Sequence, residues 1–141
     1  MVPAQFEDGT DFQSGLAAVV SQGKWRFINS NGQFVHTTQF DRAWAFSEGL
    51  ALVRSGFKYG YINPAGQWVI PAQYDRAGSF SEGKAWVTLG QQQGYISSTG
   101  AYVISPRFEE AHDFQQGLAA VKAGGRLGYI NTAGQLVWQS P

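Results

Sequence analysis

The acidic side chains of this chain recur at a regular spacing, so any chemistry they performed would be repeated along the chain. Carboxylates stand 34 residues apart in one column and again in a shorter second one: Glu7, Asp41, Asp75 and Glu109, then Glu48 and Glu82. A general acid or base acts in one convergent site, whereas a carboxylate required in every repeat is more simply a ligand to backbone N–H groups of a turn. We therefore predict that both columns are structural.

Two histidines, His36 and His112, have the side chains that titrate nearest neutral pH. His36 stands where the other repeats carry Ile70, Ile104 and Trp138, which predicts a surface position at the end of a strand. His112 has three acids close by in sequence, but such a cluster on a loop is typically solvated, and two histidines form no known zinc pattern. The chain contains no P-loop, dinucleotide fingerprint or Gly-x-Ser-x-Gly elbow. We predict a protein that is not an enzyme and uses no metal or cofactor.

Composition argues against several kinds of partner. The 141 residues carry 10 Lys and Arg against 10 Asp and Glu, so no net field attracts nucleic acid or an anionic membrane. There is no cysteine, and no segment has the pattern of a transmembrane helix or a signal peptide. We expect a cytoplasmic protein that binds neither nucleic acid nor membranes. Its 18 glycines and 15% aromatic residues are typical of short strands joined by tight turns.

The chain consists of four copies of one unit of about 34 residues. Several columns recur at this spacing without insertion or deletion, among them Phe6, Phe40, Tyr74 and Phe108, and Gly32, Gly66, Gly100 and Gly134. Recurrence within one chain identifies the positions that the unit needs in order to fold. We predict a single repeat domain over residues 1–141, with repeats at approximately 5–38, 39–72, 73–106 and 107–140.

Each repeat is predicted to hold about three short antiparallel strands. In the second repeat these are Leu50–Arg54, Tyr59–Asn63 and Gln67–Ile70, and in the first of them Ala51 and Val53 form a fixed inward face beside a variable outward position. Asn63-Pro64-Ala65-Gly66 predicts a type I turn with a bulge, in which the glycine takes the left-handed conformation. The linking segment, residues 71–83, has Tyr74, Ala77 and Phe80 three apart, which predicts a short 3₁₀ or helical turn.

A three-stranded repeat of this size cannot bury its own apolar face, so the repeats must pack on one another. We predict an all-β fold in which four tandem repeats stack as a curved β-repeat array. A closed, propeller-like ring around an axis is the alternative.

Several segments resemble the signature of bacterial WG repeats. They include Lys24-Trp25-Arg26-Phe27-Ile28-Asn29, Lys58-Tyr59-Gly60-Tyr61-Ile62-Asn63 and Phe46-Ser47-Glu48-Gly49-Leu50-Ala51. The resemblance spans Phe6 to Val137, although the naming Trp-Gly pair is never intact and reads Trp25-Arg26, Tyr59-Gly60, Gln93-Gly94 and Leu127-Gly128. It implies a bacterial tandem β-repeat used as a binding scaffold, in some cases one that neutralises a toxin.

Positions that the repeat leaves free are the candidates for contact with a partner. Large or charged side chains that occur in some repeats but not in their equivalents are not required by the core, and Trp and Arg contribute most to interface energies. The candidates are Arg42, Trp44, Arg76, Trp86 and His112. The alternative for the two tryptophans is that they fill a groove between repeats. In contrast, Phe34, Trp68, Tyr102 and Leu136 are large in every copy and are expected to pack internally.

These features favour a protein-binding module without chemistry of its own. A specific version is a bacterial immunity or regulatory protein that occludes the site of a partner enzyme. The alternative function is binding of a glycan or another small ligand, since exposed aromatic rings can stack on sugars. Equivalent pockets in all four repeats would favour that alternative.

Overall fold

The computed structural model describes residues 8–10, 13, 15–35 and 39–140, which form strands and turns and contain no helix. Glu7 and His36 lie outside the described residues. The chain divides into two compact halves, Met1–Gln73 and Tyr74–Pro141. The first half contains β1 Asp8–Gly9, β2 Leu16–Ser21, β3 Lys24–Asn29, β4 Arg42–Ser47, β5 Leu50–Ser55, β6 Lys58–Ile62 and β7 Trp68–Tyr74. The second contains β8 Arg76–Ala77, β9 Ala85–Leu89, β10 Gln92–Ile96, β11 Tyr102–Phe108, β12 Glu110–Ala111, β13 Ala119–Ala123, β14 Arg126–Ile130 and β15 Leu136–Gln139.

The strands form four antiparallel sheets, one for each repeat. The orders are β1-β2-β3 and β4-β5-β6-β7 in the first half, and β8-β9-β10-β11 and β12-β13-β14-β15 in the second. Sequence neighbours are therefore also neighbours in space, as in an up-and-down meander. This confirms the predicted all-β fold of four tandem repeats.

The segment that links one repeat to the next differs from its prediction. Instead of a 3₁₀ turn it supplies a short first strand to the following sheet, so β8 pairs with β9 through Arg76 and Thr88. The prediction of a helical turn was wrong because the segment runs beside β9, where the Gly78 N–H donates to the Trp86 carbonyl over 2.9 Å. The linker aromatics Tyr74 and Phe80 are buried.

The predicted hairpin turn between the last two strands of a repeat is confirmed. Gly66 has a φ of 82°, and its N–H donates to the Asn63 carbonyl over 2.9 Å. The Asn63 Oδ1 accepts from the N–H groups of Ala65 and Gln67, both at 3.0 Å. A side-chain amide therefore replaces backbone partners that the turn cannot supply.

The glycine of the Trp-Gly pair allows two strands to approach closely. A Cβ at Gly60 would lie 2.6 Å from the Ile70 carbonyl oxygen, and one at Gly94 would lie 2.5 Å from the Ile104 carbonyl oxygen. The first repeat has Arg26 at this position, and its guanidinium carbon lies 3.6 Å from the centroid of the Phe34 ring.

Aromatic residues join the sheets within each half. In the first half, Phe27 lies 5.1 Å from Phe46 between ring centroids, within a core that also contains Val53. In the second half, Tyr95 lies 4.9 Å from Phe114, and both pack with residues of β13 and β14. Within each half, one face of the first sheet therefore packs on the opposite face of the second, and the apolar columns supply the residues of both faces.

Two expectations about exposure were wrong. The variable position of the first predicted strand, expected to face outward, is buried as Ala18 in β2 and as Leu52 in β5. A strand covered on both faces shows no polar alternation. Conversely, the large side chains expected to pack internally are exposed, because they stand at the edge of each sheet: Phe34, Trp68, Tyr102 and Leu136.

Candidate functional site

The first column of acids holds the hairpin turn of its own sheet. The Asp41 Oδ2 accepts from the Gly56 N–H at 2.6 Å, and the Asp75 Oδ2 accepts from the Gly90 N–H at 2.9 Å. In the fourth repeat the Glu109 Oε1 accepts from the Gly125 N–H at 2.8 Å. These contacts confirm the structural assignment at the three described positions.

The second column of acids connects successive repeats in the second half. Glu82 has a φ of 53° and with Gly83 forms a two-residue turn of type I′ geometry. Its carboxylate accepts from the N–H groups of Gln116 and Gly117, which form the same turn in the next repeat. The Ser81 hydroxyl donates to the Phe114 carbonyl at 2.8 Å beside it. Glu82 is thus a link between neighbouring sheets.

In the first half, the predicted partner residues Arg42 and Trp44 lie together. The guanidinium carbon of Arg42 is 4.9 Å from the ring centroids of both Trp25 and Trp44. The Trp44 ring centroid is 5.8 Å from that of Tyr59. Arg42 is exposed and Trp44 is half-buried, so this stack of a cation with aromatic rings is accessible at its edge.

In the second half, the predicted residues Trp86 and His112 line one open groove of about 670 Å³. The half-buried Trp86 ring lies on Gly78, where a Cβ would stand 2.2 Å from the indole nitrogen. Trp86 therefore occupies space that its own sheet leaves open at a glycine. Arg76, the fifth predicted residue, is exposed on β8.

The groove is acidic and aromatic. Its other lining residues are Gln93, Glu110, Ala111, Asp113, Gln115, Leu118, Ala120 and Tyr129. Burial raises the pKa of the Asp113 carboxyl, against the opposing effects of the charge of His112 and a hydrogen bond from Trp86. Such a surface can hold a ring or a polar group. Among the described residues, no group of three or more His, Cys, Asp or Glu side chains is placed to hold a metal ion.

The groove continues into an exposed sheet face that the sequence did not predict. We define the end face as Leu118, Ala120, Leu127, Tyr129 and Trp138 on and beside the fourth sheet. Tyr129 is 45% exposed and Trp138 is 52% exposed, whereas their equivalents one repeat earlier, Tyr95 and Ile104, are 0% and 3% exposed. The sequence signal that identifies this face is Trp138 itself, the one large aromatic in a column with two isoleucines.

Comparison with known proteins identifies the family. A family model described as "WG containing repeat" matches residues 1–25, 25–58, 59–91 and 94–126. The chain belongs to this family. The match to the WG repeat model at four successive places confirms the resemblance that the residues carry. No curated protein sequence matches the chain.

Solved structures share the fold of these WG repeats at low sequence identity. Hsv2p of Kluyveromyces lactis matches with a TM-score of 0.54 and 11% identity, over 93% of this chain and 50% of its own. Hsv2 of Kluyveromyces marxianus matches with a TM-score of 0.56 and 12% identity, over 91% and 50%. The WG chain thus spans about half the length of these proteins.

Across the described residues, no helix has the length and hydropathy to cross a membrane.

Proposed function

We propose that this WG-repeat protein is a non-catalytic protein-binding module and that the end face is its binding surface. The observation that carries the proposal is the exposure of Tyr129 and Trp138 at columns that are buried at the described positions of the earlier repeats. Contiguous exposed apolar residues mark interaction sites on soluble proteins, and Trp and Tyr supply much of the energy of interfaces.

Polar groups around the end face would orient a protein partner. Glu110 and His112 are exposed along one side, and Lys122 pairs with Glu110 across β12 and β13. An apolar centre with charged residues at its rim is the usual arrangement of a protein interface. A bacterial immunity or regulatory role, in which the face occludes a partner enzyme, is the specific version of this proposal.

A second candidate function is the binding of a glycan or a small ligand in the groove. The observation in its favour is that Trp86 and Tyr129 line the groove together with carboxylate and amide side chains. Aromatic rings beside a few convergent polar groups are typical of small-molecule sites. On this alternative, Trp86→Ala abolishes binding on a glycan array, while Trp138→Ala leaves it unchanged.

Affinity capture from the source cell tests the main proposal. The bait is the full chain, compared with a Tyr129→Ser, Trp138→Ser variant and with Phe57→Ala, which removes an exposed aromatic ring of the first half. We expect a protein that binds the wild type and Phe57→Ala but not the double variant. A protein retained by all three baits would contradict the end face as the binding surface, and capture of no protein would contradict the binding of a separate partner.

A further inference from the structure

We propose that the end face binds a second copy of this chain, in a two-fold dimer in which Trp138 of each copy enters the groove of the other. This inference rests on the proposed function, because it names the partner that covers the same surface. It follows from the order of the side chains across the fourth sheet.

The middle row of the end face consists of a small residue, a central aromatic ring and a second large aromatic ring, one on each of three adjacent strands. Ala120 on β13 stands opposite Tyr129 on β14, and Tyr129 stands opposite Trp138 on β15. Adjacent strands are about 4.8 Å apart, so Ala120 and Trp138 lie on either side of Tyr129 at equal distances of about 4.8 Å. The row is therefore centred on Tyr129.

Each end of the row differs from the sheet before it in a complementary way. Ala120 replaces Trp86, and this small side chain lines the open groove. Trp138 replaces Ile104, which is buried; its ring centroid lies 6.0 Å from that of Tyr129, and half of its surface is exposed. One sheet thus lacks a large side chain at one end of the row and gains one at the other.

A two-fold axis parallel to the strands at Tyr129 superposes these ends. It places Trp138 of the second copy over Ala120 of the first and repeats the contact in reverse, as an isologous interface requires. Tyr129 then faces its own copy. The strands of the two sheets run in nearly the same direction, which is the aligned packing of β-sandwiches at about 10 Å.

The neighbouring row is compatible with the same axis. Leu127 stands beside Tyr129 on β14, so it also faces its own copy, and it pairs with Lys122 on the side of β13. Rotation places Lys122 over the strand that carries Ser140 rather than over a second lysine, because the Ser140 N–H donates to the Leu127 carbonyl on the other side. No like charges are opposed in these two rows, and the chain has zero net charge.

Sedimentation of the full chain tests the dimer. We expect a species of about twice 15.4 kDa at concentrations of about 100 µM, and we expect Trp138→Ala and Ala120→Leu each to raise the dissociation constant of the dimer about tenfold or more. Ala120→Leu fills the gap with the residue that Leu52 contributes in the second repeat, so it tests the groove without removing a contact. Tyr102→Ala removes an exposed ring elsewhere in the second half and should leave the dimer intact.

A short bismaleimide cross-linker tests the axis itself. The chain has no cysteine, so Leu127→Cys offers a single thiol per copy. We expect cross-linked dimers from Leu127→Cys but not from Val103→Cys, which is exposed on β11 and is not a residue of the end face. Circular dichroism confirms that each variant is folded.

A chain that stays monomeric, or a dimer that survives both Trp138→Ala and Ala120→Leu, would overturn the inference. The proposed function is separable from it, since a monomer whose end-face variants lose a captured protein would retain that function with a different partner. A dimer without any captured protein would support the inference alone.

Discussion

At the scale of single residues, recurrence within the chain separates structural from distinctive positions. The acids at Asp41, Asp75 and Glu109 could be assigned to turns from their spacing alone, because a ligand for a turn is needed wherever the turn occurs. The contact between Trp86 and Gly78 could not be predicted in this way. It depends on two differences within the third repeat, a glycine at position 78 and a large side chain at position 86, which the spacing does not show to be in contact. The spacing therefore predicts the role of residues that the repeats share. Where the repeats differ, it identifies the position but not the contact made there.

The contact between Gly78 and Trp86 makes a specific prediction about stability. Gly78→Ala would place a Cβ 2.2 Å from the indole nitrogen of Trp86, which is too close for two non-bonded atoms. We therefore expect a loss of about 1 to 3 kcal/mol in the free energy of unfolding. Trp86→Leu removes the obstacle, as Leu52 stands at the same column in the second repeat. In the Trp86→Leu background Gly78→Ala should therefore cost little. Urea denaturation of the four proteins gives the coupling, and equal costs in both backgrounds would refute the prediction.

Asp41 predicts a pH dependence on the acid side. A hydrogen bond from Lys24 at 2.9 Å, followed by one from the Gly56 N–H, lowers the pKa of the Asp41 carboxyl below its value of 3.8. Because the folded pKa is depressed, this stabilisation is present above the unfolded pKa and is lost as pH falls through the folded pKa. Wild type should exceed Asp41→Asn in stability at pH 7, and the difference should shrink below about pH 4.

Urea denaturation at a series of pH values measures that difference. Lys24→Gln serves as the control, because it removes the main cause of the lowered pKa and should flatten the dependence. A difference between wild type and Asp41→Asn that stays constant from neutral to acid pH would be inconsistent with this role for Asp41.

At the scale of strands and turns, hairpins were predictable and the linker was not. Asn63 and Gly66 identify their turn because the amide acceptor and the left-handed glycine are local requirements. The linker spacing of Tyr74, Ala77 and Phe80 is compatible with either a helical turn or an edge strand. Its pairing with β9 is a tertiary contact, and such contacts override local preference.

Differences between the four hairpin turns predict a stabilising substitution. In the third repeat Ser97 accepts from the Thr99 N–H at 3.3 Å, whereas Asn63 accepts two hydrogen bonds at 3.0 Å. Ser97→Asn should bring the same acceptor into reach of both N–H groups and stabilise the fold by about 0.5 to 1 kcal/mol. Thermal unfolding tests it, with Asn63→Ser as the reverse change. A lower thermal unfolding midpoint for Ser97→Asn than for the wild type, with an unchanged circular dichroism spectrum of the folded protein, would contradict the prediction.

At the scale of the whole molecule, the tandem β-repeat architecture could be predicted because it follows from a period and from apolar faces that a single repeat cannot bury. Which face is left exposed could not. Tyr129 shares its column with Tyr95 and Tyr61, and nothing in its type distinguishes a ring that is buried from one that is exposed. Two predicted residues, Trp86 and His112, do line the groove beside that face, but its centre was found only in three dimensions.

The reach of Glu82 into the next repeat has a consequence for how such a chain changes length during evolution. Because its acceptor oxygens and the N–H groups of Gln116 and Gly117 lie one period apart, a tandem duplication of one full period copies both halves of the contact together. A duplication of any other length would separate donor from acceptor at the new junction. Selection on this contact alone would keep the period constant while the number of copies drifts, which fits a chain of four copies without a single insertion between them.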